Sequence, residues 1–343
     1  MYELFGSLAS RAFRVMWMLE ELGQDYAHIA AGPRTPEAIE HNPSGKIPAL
    51  LDDGASSDPG QHDFHGHGGE WRVEHQRLKW KVLEDFATAC VEAGIPRTRD
   101  FNRGDNEGVD YFEVNQRSGW RWNTSKAFLG NAEKRSNLTL WHSTHVLGLE
   151  TENAGSGPRC VGVRVERSGG DDVIVRAKRE VILSAGAIGS PQLLQLSGIG
   201  PADLLKEHGI DVVADLPGVG ENLQDHLQIR SVYKVKGVTT LNTMANSLIG
   251  KARIGLEYLL TRSGPMSMAP SQLCLFTRSS EEYDYANIEY HVQPLSLDAF
   301  GQPLHNFPAI TASVCNLNPT SRGSVRIRSN DPKQAPAISP NYL

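Results

Sequence analysis

Ser184-Ala185-Gly186-Ala187-Ile188-Gly189-Ser190-Pro191-Gln192-Leu193-Leu194-Gln195-Leu196-Ser197-Gly198-Ile199-Gly200-Pro201 is the stretch on which the fold of this chain turns. It is entered through Glu180-Val181-Ile182-Leu183-Ser184, a continuous apolar run that predicts a strand in a buried, parallel position. Residues 190–197 predict a helix with Pro191 in its first turn, and Gly198 and Gly200 close it with a turn. Small residues after a strand let a bulky ligand approach the backbone. A helix N-terminus beside them favours an anionic group. The same pattern also serves a plain strand-to-helix turn, so residue chemistry permits a nucleotide contact here without requiring one.

Toward the C-terminus, strand candidates at 229–235, 273–276, 288–292, 309–314 and 324–327 surround a helix at 248–260, as expected of a sheet-based domain. Toward the N-terminus, 138–149 alternates like a strand. Residues 160–167 and 173–177 alternate around Ser168-Gly169-Gly170-Asp171, a hairpin signal. Residues 123–129 begin like a helix with Thr124 or Ser125 as cap. Residues 100–121 read as polar and turn-rich, and 74–93 as a helix ended by Gly94. The glycine-rich stretch 52–69 has no periodicity and reads as loop, which places a boundary near 55–60. Before it stand a strand at 1–6, a helix at 11–22, a strand at 25–29 and a strand at 47–51 entered through Pro48. That order is similar to the first half of a thioredoxin-like domain.

Composition narrows the function classes. With 343 residues, 39% hydrophobic and 22% charged, the chain is long enough for two domains and too apolar for general disorder. Lys+Arg of 34 against Asp+Glu of 40 leaves a net charge of −6, which argues against a nucleic-acid partner. No apolar run is long enough for a transmembrane segment. The first residues lack a basic n-region, so a cytoplasmic location is expected. Cys90, Cys160, Cys274 and Cys315 form no CxxC pair, so reduced thiols are expected rather than a disulfide scaffold or zinc knuckle. His62, His65 and His67 read as polar loop residues, and no metal site is predicted.

The quoted stretch resembles the second signature of the glucose-methanol-choline (GMC) oxidoreductases, flavoenzymes that oxidise alcohols. The likeness continues through Leu216-Pro217-Gly218-Val219-Gly220-Glu221-Asn222-Leu223-Gln224-Asp225-His226, Pro319-Thr320-Ser321-Arg322-Gly323-Ser324-Val325-Arg326-Ile327 and Asn341-Tyr342-Leu343. Upstream, His65-Gly66-His67-Gly68-Gly69 and Arg121-Trp122-Asn123-Thr124-Ser125 also fit, so the resemblance runs over about residues 60–343 and is nearest the choline dehydrogenase-like members. It implies FAD as cofactor, a small alcohol as substrate and hydride transfer to the flavin. By position, Val146 resembles the valine whose backbone meets the adenine end of FAD. Ala185 and Gly186 resemble the small residues packed against the flavin nucleotide. Asn222 and His226 read as structural, His226 as general base being the lesser reading. The family's glycine fingerprint finds no counterpart: Gly198-Ile199-Gly200 and Gly218-Val219-Gly220 have Asp203 and Leu223 where a third glycine would stand. The family's catalytic histidine lies beyond Asn-Tyr-Leu, so no catalytic residue is assigned, and a chain truncated at both ends with impaired activity is expected.

The first 54 residues resemble another family, the glutathione transferases. Phe5-Gly6-Ser7, Ser10-Arg11-Ala12-Phe13-Arg14-Val15 and Asn42-Pro43-Ser44-Gly45-Lys46-Ile47-Pro48-Ala49-Leu50 carry the likeness. It implies glutathione as an alternative partner, with Ser10 (or Ser7) at the thiolate and the Ile47 backbone, before Pro48, at the peptide. The predicted fold class is therefore α/β plus α+β. A partial thioredoxin-like unit at 1–54 leads through a junction loop at 55–69 to a partial FAD-binding domain at 60–227. A substrate-domain region follows at 228–343. A non-functional fusion of two unrelated pieces is the remaining expectation.

Overall fold

The computed structural model describes residues 2–5, 26–29, 49–52 and 69–342, apart from 103, 104, 156 and 300. The helix predicted at 11–22, Ser7, Ser10, Ile47, Pro48 and the three loop histidines lie outside the described residues. Tyr2–Phe5 pairs in parallel with Tyr26–Ile29 and antiparallel with Ala49–Asp52. This is the strand arrangement that the β-α-β-turn-Pro-β reading calls for.

The chain divides into two units built from interleaved stretches, 1–130 with 228–315, and 131–227 with 316–343. The breaks between the units fall at 130/131, 227/228 and 315/316, so residues 69–130 group with 228–315 and residues 316–343 with 131–227. The cause is strand pairing: Gly108–Tyr111 adds to the edge of Leu273–Thr277, and Gly323–Arg326 pairs with Glu221–Leu223.

The first unit carries a five-stranded sheet in the order Gln228–Lys234, Ala309–Asn316, Ile288–Gln293, Leu273–Thr277, Gly108–Tyr111. The Lys81–Glu92 helix belongs to the same apolar core. Val82, Leu83, Ala87 and Cys90, spaced for one helix face, cluster with Val109, Leu273, Leu275, Val292, Ile310 and Ala312. Gly94 ends the helix with a φ of +92°, which favours glycine. The helix begins at Lys81, not at 74. Glu74–His75 instead pairs with Glu113–Val114. Gln76 Nε2 donates to the carbonyls of Phe112 (2.9 Å) and Gln272 (2.7 Å), and the Trp80 amide donates to Tyr111 Oη (2.9 Å). Those long-range partners hold 74–80 extended against its helical spacing. The turn-rich reading of 100–121 likewise hides four short strands, Gly108–Tyr111, Glu113–Val114, Gln116–Arg117 and Trp120–Arg121.

The second unit holds a three-stranded antiparallel meander of Thr144–Asn153, Pro158–Arg167 and Asp172–Arg176, with the Gly186–Leu196 helix packed against its first strand. The hairpin around Gly169 and Gly170 forms as predicted. The first strand starts at Thr144, not at 138. Residues 180–184 do not form the predicted buried strand, and Ile182 is 64% exposed. A strand exists through its ladder, and among the described residues no strand pairs with this run. The helix begins at Gly186, so Pro191 sits inside it rather than in its first turn, at the cost of one intrahelical hydrogen bond. Among the described residues no helix is long and apolar enough to cross a membrane.

Leu83 is fully buried between the helix and the sheet. Leu83→Ala is expected to lower unfolding free energy by about 3 kcal/mol, measured by urea denaturation of the first unit's fluorescence transition.

Candidate functional site

The residues implied for cofactor contact lie in one unit. Gly186 takes a φ of +82°, and no heavy atom stands within 4 Å of where its Cβ would be. Ala185 is the N-cap, no side chain caps the helix, and 184–187 are exposed. Val146 is partly exposed on the meander's first strand, while its neighbour Leu147 is buried. The strand is tied to the helix end: the Leu149 amide donates to Ser197 Oγ (2.8 Å), which donates to the Leu193 carbonyl (2.6 Å). A shallow cleft of about 360 Å³ opens at the Thr144 end of the strand, lined by Ser143, Thr144, His145, Glu166, Arg167 and Gly169.

A flavin nucleotide is the group that the resemblance implies. Small exposed residues and a helix N-terminus without a side-chain cap fit the close approach of its nucleotide half. The pyrophosphate cradle is another matter. Among the described residues no strand leads through Gly-x-Gly-x-x-Gly into a helix, and the two Gly-x-Gly pairs serve packing. Gly198 (φ +78°) has the Asp211 carbonyl where a Cβ would stand. Gly220 (φ +86°) lies against the Val325 carbonyl, with Gln195 Nε2 2.5 Å from its would-be Cβ.

Gln195 explains why this motif is so long. It is fully buried. Its Nε2 donates to the carbonyls of Val219 (3.1 Å) and Val325 (3.0 Å), and its Oε1 accepts from the Ile327 amide (2.8 Å). One carboxamide thus joins the helix, the Leu-Pro-Gly-Val-Gly loop and the Ser-Val-Arg-Ile strand. The other motif residues also hold chain to chain. Asn222, at φ +63°, is the extra residue of a bulge between Glu221 and Leu223. Glu221 pairs with Arg326 at 2.8 Å. Tyr342 Oη donates to Asp225, and that hydrogen bond holds the phenol above its usual pKa. His226 is exposed. Thr124 does not cap by its side chain; Asn123 Oδ1 accepts from the Lys126 amide (3.0 Å) at the head of a π-helical turn, Ser125–Leu129.

The first unit contains a cluster that sequence reading does not single out. Glu289 and His291 alternate on one strand, and their side chains meet at 3.0 Å. Cys274, opposite His291 in the ladder, lies 3.7 Å from Glu289 Oε1, and Cys315 lies 3.8 Å from Oε2. Burial, reinforced by the Glu289 charge, pushes both thiols up, Cys315 to about 11. They are protonated donors to a buried carboxylate, not nucleophilic thiolates. None of the four cysteines is in a disulfide. The i, i+2 spacing of Glu289 and His291 is the only part of the cluster legible without the register. Ser296, His305 and Asp298 also form a chain, with Ser296 Oγ 2.9 Å from His305 Nδ1 and Asp298 Oδ1 3.1 Å from Nε2. Ser296 is fully buried and fastened by Asn242 at 3.0 Å and 2.9 Å, which makes it a loop clamp.

The second unit sets small, exposed residues at a helix N-terminus without a side-chain cap, an arrangement that fits a nucleotide cofactor. Residues 54–228 match the family described as GMC oxidoreductase, and residues 10–59 match the glutathione S-transferase N-terminal domain. The chain belongs to the GMC oxidoreductase family. It is 38% identical over 288 residues to the oxygen-dependent choline dehydrogenase of Brucella ovis, covering 84% of this chain and 51% of that protein. It is 36% identical over 283 residues to the alcohol dehydrogenase [acceptor] of Pseudomonas putida, covering 82% and 50%. Among solved structures, a formate oxidase of Aspergillus oryzae RIB40, studied for modification of its FAD, superposes with a TM-score of 0.72 at 27% identity over 80% of this chain and 52% of that one. The chain spans about half the length of the curated relatives it matches.

Two measurements check this account. Gln195→Leu keeps the volume but takes the partner from three backbone groups, two of them buried, and is expected to cost about 3 kcal/mol; Gly220→Ala is expected to lower the melting temperature as well. For the thiols, the unfolded chain ionises Cys315 near 9.0 and the folded chain near 11. Stability is therefore intact below the lower value and is lost as pH rises through the higher. Denaturation midpoints should fall between about pH 8 and about pH 11, and Cys315→Ala should lessen that fall, with Cys274 keeping its own share.

Proposed function

We propose that this chain is part of an FAD-dependent alcohol oxidoreductase acting on CH–OH groups, with a choline-like alcohol as the substrate class. The observation that carries the reading is the 288-residue likeness to choline dehydrogenase, which includes the folded Ser184–Pro201 stretch with its exposed Ala185 and Gly186. In this proposal 131–227 with 316–343 forms the cofactor part, and the five-stranded sheet of 69–130 with 228–315 forms the substrate part. The Val146 backbone would hold the adenine end, and Ala185 and Gly186 would admit the nucleotide against the helix N-terminus. The carbinol hydride would find its acceptor in FAD, the chemistry that group would supply when bound. This chain's own contribution is shape and rigidity: small residues leave space, and Gln195 fixes the helix that presents them. No proton-accepting residue is assigned.

The test is an absorption spectrum of the purified chain after FAD is supplied and excess removed. A flavin band that survives desalting supports the reading, and bleaching by choline supports the substrate class. A colourless chain overturns cofactor retention by this polypeptide. Ala185→Leu, at a residue whose φ of −82° accepts a larger side chain, narrows the approach and should lower flavin retention about tenfold, while leaving the melting temperature of the FAD-free chain within a degree or so.

The match of residues 10–59 favours a second reading, a glutathione-binding module. Ser10 would face the thiolate, and the backbone before Pro48 the peptide. Retention on immobilised glutathione, weakened by Ser10→Ala, supports it; free passage through the column overturns it.

A further inference from the structure

We propose that the Leu248–Thr261 helix is an interfacial anchor that seats this chain on an anionic lipid surface. The helix is amphipathic with its apolar side turned outward. At about 100° per residue, Leu248, Ala252, Leu256 and Leu259 form one line, with Ile249 and Leu260 beside it, in an arc of about 120°. These large side chains are exposed by 85% (Leu248), 83% (Ile249), 57% (Leu256), 68% (Leu259) and 75% (Leu260). Ile254, the buried residue of the helix, lies on the opposite side. The inward side is fastened: Tyr258 Oη donates to the Gly119 carbonyl (3.1 Å), and Gly250 stands against the Met244 carbonyl where no Cβ fits. Ser247 caps the first turn by accepting from the Gly250 amide (3.0 Å). So the stripe cannot be rotated into the core without breaking these contacts. Scattered exposed leucines need no explanation, but a contiguous row of this size does.

The surroundings select the occupant. Lys251 and Arg253, both exposed, flank the stripe on either side. The one acidic residue of the helix, Glu257, turns its carboxylate onto Gly264, with Cδ 2.5 Å from that glycine's would-be Cβ. At the C-terminal end the Arg262 guanidinium lies 4.3 Å from the Trp120 ring centre and 5.2 Å from that of Tyr258. Lys126 Nζ lies 5.8 Å from the same Trp120 ring, which is half exposed, and Met266 next to the helix is exposed. An outward apolar face with basic flanks and aromatic residues at one end is the pattern of a helix lying in the headgroup region. Fourteen residues are too few to span the hydrocarbon. The cations match anionic headgroups. The local positive rim also contrasts with the chain's net charge of −6.

The experiment is flotation of the full chain with vesicles of phosphatidylcholine alone and of phosphatidylcholine mixed with phosphatidylglycerol. The chain is expected to float with the mixed vesicles and to bind pure phosphatidylcholine about tenfold or more weakly. Leu248→Ser, Leu256→Ser and Leu259→Ser combined should abolish flotation with an unchanged circular dichroism spectrum. Lys251→Glu with Arg253→Glu, which leaves the apolar stripe whole, should remove the preference for anionic vesicles. Failure of the native chain to float with mixed vesicles overturns the proposal. So does flotation of the triple serine variant at the native level. A dimer in sedimentation that the triple variant converts to monomer, without vesicle binding, assigns the face to self-association and overturns it equally.

Discussion

A single buried carboxamide constrains the second unit. Gln195 satisfies its own polar atoms only by bonding backbone groups at 219, 325 and 327, far apart in sequence. A buried amide left without partners costs more than a made bond contributes, so the helix, the glycine loop and the late strand are favoured together. Gly220 follows from this: with Gln195 and the Val325 carbonyl so near, a side chain has no place. The exposed small residues at the other end of the same helix are thereby held in position by groups that never touch a ligand.

The first unit is organised by apolar packing instead. Leu83, Val109, Leu273 and Val292 are fully buried around one face of a five-stranded sheet. Its polar interior is local: Glu289 between His291 and two protonated thiols, and Asn242 fastening the loop through Ser296. Both devices resemble functional constellations by composition. Buried thiols held protonated beside Glu289 are not poised nucleophiles, and buried Ser296 is fastened to Asn242.

Much of the fold was legible locally. The 160–167 and 173–177 hairpin was readable from alternation around a glycine turn, and four of the five strands of the large sheet were readable as strand candidates, Gly108–Tyr111 being the exception. The 248–260 helix was readable from its spacing, though not which way its stripe would face. Where local reading failed, a distant partner decided. Residues 74–80 have helical spacing but are held extended by Phe112, Gln272 and Tyr111. Residues 180–184 have the composition of a buried strand but no pairing strand among the described residues. Of the candidate site, Val146, Ala185 and Gly186 were chosen from family likeness, and the tertiary structure brings their strand and helix into one unit. The role of Gln195 was not legible, since a glutamine in a helix reads as surface until its three partners are known.

By itself, the sequence determined the family, through the Ser184–Pro201 stretch and the motifs after it, because those glycines and small residues answer to backbone geometry that few other residues can adopt. It also determined the change of character near residue 55, where a second family's likeness ends. Only the tertiary structure decided that the two units interleave, that Gln195 joins helix, loop and strand within the second, and that the Leu248–Thr261 helix faces its apolar side outward. Periodicity tells that a helix has an apolar face, but which face is buried depends on the neighbours that long-range packing supplies.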